Sequence, residues 1–235
     1  MHPRHLPYTE PRGTDCPYAR KQNMPSSDNL VFYTNPRSRG HIVRWMLEEV
    51  GVPYATEILE YGTTMKAPAY LAINPMGKVP AIRHGGTVVT ECAAICAYLA
   101  DAFPEAALAP PPGSPARGDY YRWLFFVAGP FEAAVTNQSL GVTVPPESEG
   151  FVGYGSFPRV LDTLEAAVRD RTFLAGERFS AADVYVGAQI GFGLLFGTIE
   201  KRPAFVRYFE NLSSRPACLR AGQLDGFSLK TGTSA

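Results

Sequence analysis

The sequence is short of cysteine, of net charge and of long apolar runs, and each shortage narrows what the chain can do. Four cysteines stand at positions 16, 92, 96 and 218 of 235 residues. They make no C-x-x-C pair and no dense framework, so neither a disulfide scaffold nor a dithiol redox centre is indicated. Cys92 and Cys96 lie one helical turn apart, but no His or second Cys pair accompanies them, and the ligand count argues against a metal there. Lys plus Arg and Asp plus Glu number 22 each, a formal net charge of +0. No bulk field therefore favours nucleic acid or an anionic membrane surface. The longest apolar runs, WLFFVAG and GFGLLFG, fall far short of the roughly 20 residues of a membrane helix. No secretory signal and no internal repeat is legible. Together these absences predict a soluble protein of a reducing cytoplasm.

What is present is an ordinary globular composition, 46% hydrophobic and 19% charged, enough for a sizeable core. Residues 1–28 are rich in Pro, Arg and polar side chains, show no period, and read as a disordered tail. CPYA at Cys16 matches a redox motif only by coincidence, since no strand precedes it. From Leu30, LVFYT reads as a buried strand and NPRSRGHIVRWMLEEVG as an amphipathic helix, opened by Asn35 as N-cap and Pro36 at its first position. PYATEIL is a second strand and TTMKAPAYLAIN a short helix interrupted at Pro68. KVPAIR, a His-Gly-Gly turn and TVV form a hairpin, and a helix capped by Thr90 runs to Pro104. The order is βαβαββα over 29–104. A Pro-rich connector at 105–115 leads into an all-helical segment at 116–226, and 227–235 is a C-terminal tail. Ser180 and Asp183 open the apolar helix AADVYVGAQIGFGLLFG with a capping box. The fold class is thus α+β, a sheet half followed by a helical bundle.

One proline breaks the pattern. Pro80 interrupts the strand-like KVPAI, although proline has no N–H to give a sheet. The element order, GKVPAI followed by TECAAICAYLAD, the Pro-rich connector and FSAADVYV together resemble cytosolic glutathione transferases of bacterial type, over residues 30–222. The resemblance implies a thioredoxin-like first half and a cis Pro80 that turns the Val79 main chain outward to pair with the cysteinyl unit of glutathione. It implies that Glu91 receives the ligand's ammonium, that the helix start at Glu91 and Cys92 receives its γ-glutamyl carboxylate, and that Lys78 pairs with the glycyl carboxylate. Cys92 replaces the family's Ser and is a weaker donor. Taken singly, Glu91 also reads as a plain turn and Lys78 as a solvated lysine.

The family places its thiol-activating residue near the first strand's end or the first helix's start, where Tyr33, Thr34 and Ser38 stand. Ser38 is preferred: first-turn N–H groups and the charges of Arg37 and Arg39 would favour a thiolate there. The resemblance implies conjugation of the glutathione thiolate to small hydrophobic electrophiles, with no metal and no bound cofactor. It also implies a homodimer whose third and fourth helices face their copies. Peroxidase or dehalogenase chemistry is not separable, and a binding module with little catalysis is the alternative. Phe126, Pro130 and Ala133, at i, i+4 and i+7 of the fourth helix, are the expected electrophile-pocket residues, though such spacing equally marks core. Cys92, at a helix N-terminus, is expected to be more acidic than a free thiol and open to alkylation, with the negative charge of the neighbouring Glu91 opposing that shift.

Overall fold

A computed structural model describes residues 29–227 and 229, so the tails expected at 1–28, Cys16 included, and at 228 and 230–235 lie outside the described residues. The first half runs β1 (Leu30–Thr34), α1 (Gly40–Val50), β2 (Ala55–Ile58), α2 (Pro68–Leu71), β3 (Ala81–His84), β4 (Thr87–Thr90) and α3 (Cys92–Ala102). The strands form one mixed sheet in the order β2-β1-β3-β4. β1 pairs parallel with β2, from Val31 opposite Ala55 to Thr34 opposite Ile58. β3 and β4 join as an antiparallel hairpin, with Tyr33 opposite Ala81 across β1 and β3. This is the thioredoxin-like βαβαββα order.

The second half is helical: α4 (Pro115–Phe126), α5 (Glu132–Ser139), α6 (Phe157–Val168), α7 (Ala181–Phe196), α8 (Pro203–Ser213) and α9 (Pro216–Asp225). α7 is buried on nearly every face, as its apolar composition requires. Gly191 lets α8 approach, because a Cβ there would meet Phe209 Cε2 at 2.4 Å. The capping box is present, with Ser180 and Asp183 each bonding the other's backbone. α1 packs against α3, α7 and α9, and one core runs through both halves, with Trp45, Ile42 and Leu99 joined to Val186, Phe205 and Leu212. Leu229 is 3% exposed within that core, so at this position the chain past α9 is packed rather than free.

Three boundaries differ from the sequence reading. α1 starts at Gly40, not at Pro36. Asn35 makes a turn instead: its Oδ1 accepts from Arg37 N–H at 3.0 Å and its Nδ2 donates to the Leu59 carbonyl at 2.8 Å. Thr90 ends β4, and the N-cap of α3 is Glu91. The long fourth helix is also two helices, joined by a π-helical turn over Val127–Phe131 that contains Pro130. A proline inside a helix lacks the N–H for the regular bond and its ring crowds the preceding turn. A wider turn relieves this and adds a residue, which rotates everything that follows.

Candidate functional site

The loop between β1 and α1 carries the preferred nucleophile-activating group. Ser38 Oγ donates to the Asn35 carbonyl at 2.6 Å and accepts from Gly40 N–H at 2.9 Å. Ser38 is half-buried and lies in the turn before the helix rather than in its first turn. Gly40 is required here: a Cβ would sit 1.9 Å from Thr34 Oγ1 and 3.0 Å from Ser38 Oγ. The other two candidates are withdrawn from solvent. Tyr33 is 3% exposed, stacks at an angle on Tyr70 and accepts from Arg83 Nε at 3.3 Å. Thr34 is 0% exposed beneath Gly40.

The Val79–Pro80 peptide is cis. The residue before it is pinned from behind, since the Lys78 carbonyl accepts from Tyr70 OH at 2.6 Å and Asn74 Nδ2 at 2.8 Å. Burial pushes the Tyr70 phenol up to about 12, so it remains a donor throughout the physiological range. Lys66 Nζ donates to the Gly77 carbonyl at 2.8 Å. None of Tyr70, Asn74 and Lys66 carries a signal that sequence reading would have caught. The Lys78 side chain is exposed and Val79 half-buried.

Glu91, exposed, holds φ 66. For a residue with a side chain such a backbone costs about 1–3 kcal/mol and tends to collect at ligand clamps. Next to it Cys92 departs from the expectation of an activated thiol. Its Sγ donates to the Arg39 carbonyl at 3.7 Å, tying α3 to the Ser38 loop. Burial pushes the thiol up to about 12, and the nearby Arg39 charge only partly opposes this. Desolvation outweighs the helix end. Cys92 is a structural donor here.

A cavity of about 710 Å³ opens beside Ser38. Its polar edge is Arg37, Ser38 and Arg39, and its apolar wall is Phe131, Val135, Phe192, Phe196 and Phe227. Phe192 stacks on Phe196 at 6.0 Å between centroids and on Phe227 at 5.9 Å. Phe227 is held in turn by the end of α9, where Asp225 meets His41 Nδ1 at 2.9 Å and Arg44 Nε at 3.1 Å. Phe126, Pro130 and Ala133 are not among the lining residues. Phe126 packs on Trp123 with centroids 5.5 Å apart, Pro130 is half-buried and Ala133 is exposed. The cavity is lined instead by Phe131, at the end of the π turn, and Val135, in α5. Pro130 inside an apolar helical run was the available signal.

A mixed sheet with a cis proline ahead of β3, followed by a helical half that lines an apolar cavity beside a serine, defines a thioredoxin-like transferase architecture. Comparison with known proteins agrees. The family models for the glutathione S-transferase N-terminal and C-terminal domains match residues 38–102 and 155–216. The crystal structure of a glutathione transferase from Methylococcus capsulatus str. Bath is 30% identical, with a TM-score of 0.68 over 84% of this chain and 98% of that one. A sphingomonad glutathione S-transferase complexed with glutathione is 27% identical, with a TM-score of 0.68 over 84% of this chain and 100% of the other. Glutathione S-transferase GstA of Escherichia coli O157:H7 is 33% identical over 118 residues, 50% of this chain and 58% of its own length. The chain belongs to the glutathione S-transferase family.

Proposed function

We propose that the protein conjugates glutathione to small hydrophobic electrophiles. The observation that carries this is a cavity lined both by Ser38 and by an aromatic wall. Glutathione would lie along the Val79 main chain, with its ammonium on Glu91, its γ-glutamyl carboxylate at the start of α3 and its glycyl carboxylate toward Lys78. The Ser38 hydroxyl would turn from the Asn35 carbonyl to the sulfur, and the Gly40 N–H bonded to Oγ polarises it for that donation. The thiol proton leaves to water. The sulfur then forms a bond to the electrophilic carbon, and a leaving group such as halide departs with its electron pair. The partners of the reaction are glutathione as co-substrate and an apolar molecule that fits the phenyl wall.

Phe196 is the wall residue best suited to a test, because it is 65% exposed and its loss leaves the core intact. With glutathione and an aryl halide, Phe196→Ala is expected to raise the KM for the halide about five- to tenfold, the cost of roughly 1 kcal/mol of lost apolar contact. The KM for glutathione should stay within about twofold. Retention on immobilised glutathione without any conjugation by the unaltered protein would overturn the enzyme reading and leave a glutathione-binding module.

We also propose a two-fold homodimer through α3 and α4. Tyr121 and Phe125 stand 42% and 70% exposed on α4 as a ring pair 6.4 Å apart, an aromatic face of the kind interfaces cover. Sedimentation at micromolar concentration should give about twice the chain mass; a single 25.6 kDa species would refute the dimer. Among the described residues no helix is long and apolar enough to cross a membrane.

A further inference from the structure

The Arg39 charge, expected to favour a thiolate at Ser38, has an acidic partner that the conjugation mechanism does not use. Arg39, the residue after Ser38, forms an ion pair across the cleft with Glu132 at the start of α5, with the Arg39 side chain 53% and the Glu132 side chain 26% exposed. Glu132 also accepts from Gln189 Nε2 of α7 at 3.3 Å. Arg39, Glu132 and Gln189 line the same cavity as Ser38. An ion pair with so exposed an arginine gains little for stability, since water screens most of its attraction. Each charge nevertheless acts on any third charge that forms within a few ångströms of it.

We propose that Arg39 and Glu132 act as a charge couple that sets the acidity of the glutathione thiol at Ser38, Arg39 favouring the thiolate and Glu132 restraining it through Arg39. The inference rests on the glutathione reading of the site. A thiol already present at its edge registers both fields: at Cys92, Arg39 draws the sulfur toward ionisation and Glu132 pushes it away. The other charged and titratable groups around the couple are Arg37 on its own loop, Glu91 and Cys92 from α3 and Tyr185 from α7. His41 of α1 is turned away, buried against Asp225. None of these is altered in the variants below, so a difference between variants reports the couple. Glu132 is a positioning residue in this scheme, because it acts on the sulfur by way of Arg39.

The test reads thiolate absorbance of glutathione bound to the full chain as a function of pH, with the pH profile of kcat/KM beside it. Glu132→Gln, which keeps size and the bond to Gln189, is expected to raise the bound thiolate fraction about threefold on the acidic limb and to move the profile toward lower pH. Arg39→Gln should lower that fraction by about threefold or more, and the double variant should match Arg39→Gln alone, because Glu132 acts through Arg39. The sign for Glu132→Gln is decisive by itself. A fall in turnover with an unmoved profile means that the pair is only a latch between the two halves, and overturns the couple. A normal thiolate signal in the unaltered protein with no shift in either variant overturns it as well. No thiolate signal in the unaltered protein overturns the site reading and the couple together.

Discussion

Ser38→Ala is expected to lower turnover about 100-fold while changing glutathione affinity by less than about threefold. The magnitude is that of one hydrogen bond made to a developing or fixed negative charge in a partly dry site. Affinity survives because the tripeptide has other anchors: the Val79 main chain, Glu91, the start of α3 and Lys78. The mutant's bound thiol should also titrate higher, seen as loss of thiolate absorbance near neutral pH. Some stability is lost too, about 1 kcal/mol, because Gly40 N–H loses its acceptor. Undiminished turnover would remove Ser38 from the mechanism. It would not install Tyr33 or Thr34 instead, since both are buried and neither lines the cavity.

The largest stability effect is expected at Asp183. Its carboxylate is 0% exposed and gathers Leu174 N–H at 2.8 Å, Ser180 N–H at 2.8 Å, Ser180 Oγ at 3.0 Å and Tyr208 OH at 2.7 Å. Three elements therefore meet on one side chain: the loop before α7, α7 itself and α8. Burial raises the carboxyl above its ordinary range, and all four bonds pull it back. Asp183→Ala strips the acceptor from donors that water cannot reach. Losing a cap costs about 1 kcal/mol and each orphaned donor about 1–3 more. A total near 4 kcal/mol is expected, a fall of about 10 °C in melting temperature for a chain of this size. Asp183→Asn retains one acceptor and should lie between. A loss under about 1 kcal/mol for the alanine variant, by denaturant titration, would show that the network is not the anchor it is drawn to be.

Much of this was readable along the chain. β1, α1 and the hairpin follow from apolar period and turn residues, and Pro80 stood out because a strand does not tolerate it without a reason. Ser180 and Asp183 announced their own capping box, since a capping box is closed by residues three apart. Ser38 was legible as a residue type at a strand-to-helix junction, though not as a turn residue, because the competing Asn35 side chain bonds were invisible.

The sequence by itself determined the elements and their order, because hydrophobic period, proline, glycine and capping chemistry act over one or two turns of chain. Only the tertiary structure decided which groups share the cavity. The cavity is lined by Phe131 and Val135, at and after the π turn, rather than by Phe126, Pro130 and Ala133. Burial under the Arg39 carbonyl turned Cys92 from an expected reactive thiol into a donor with its acidity suppressed. Arg39 met Glu132, and His41 met Asp225 at a separation of 184 residues. Such pairings depend on distance in space and on exclusion of water, and neither is a local property of the chain.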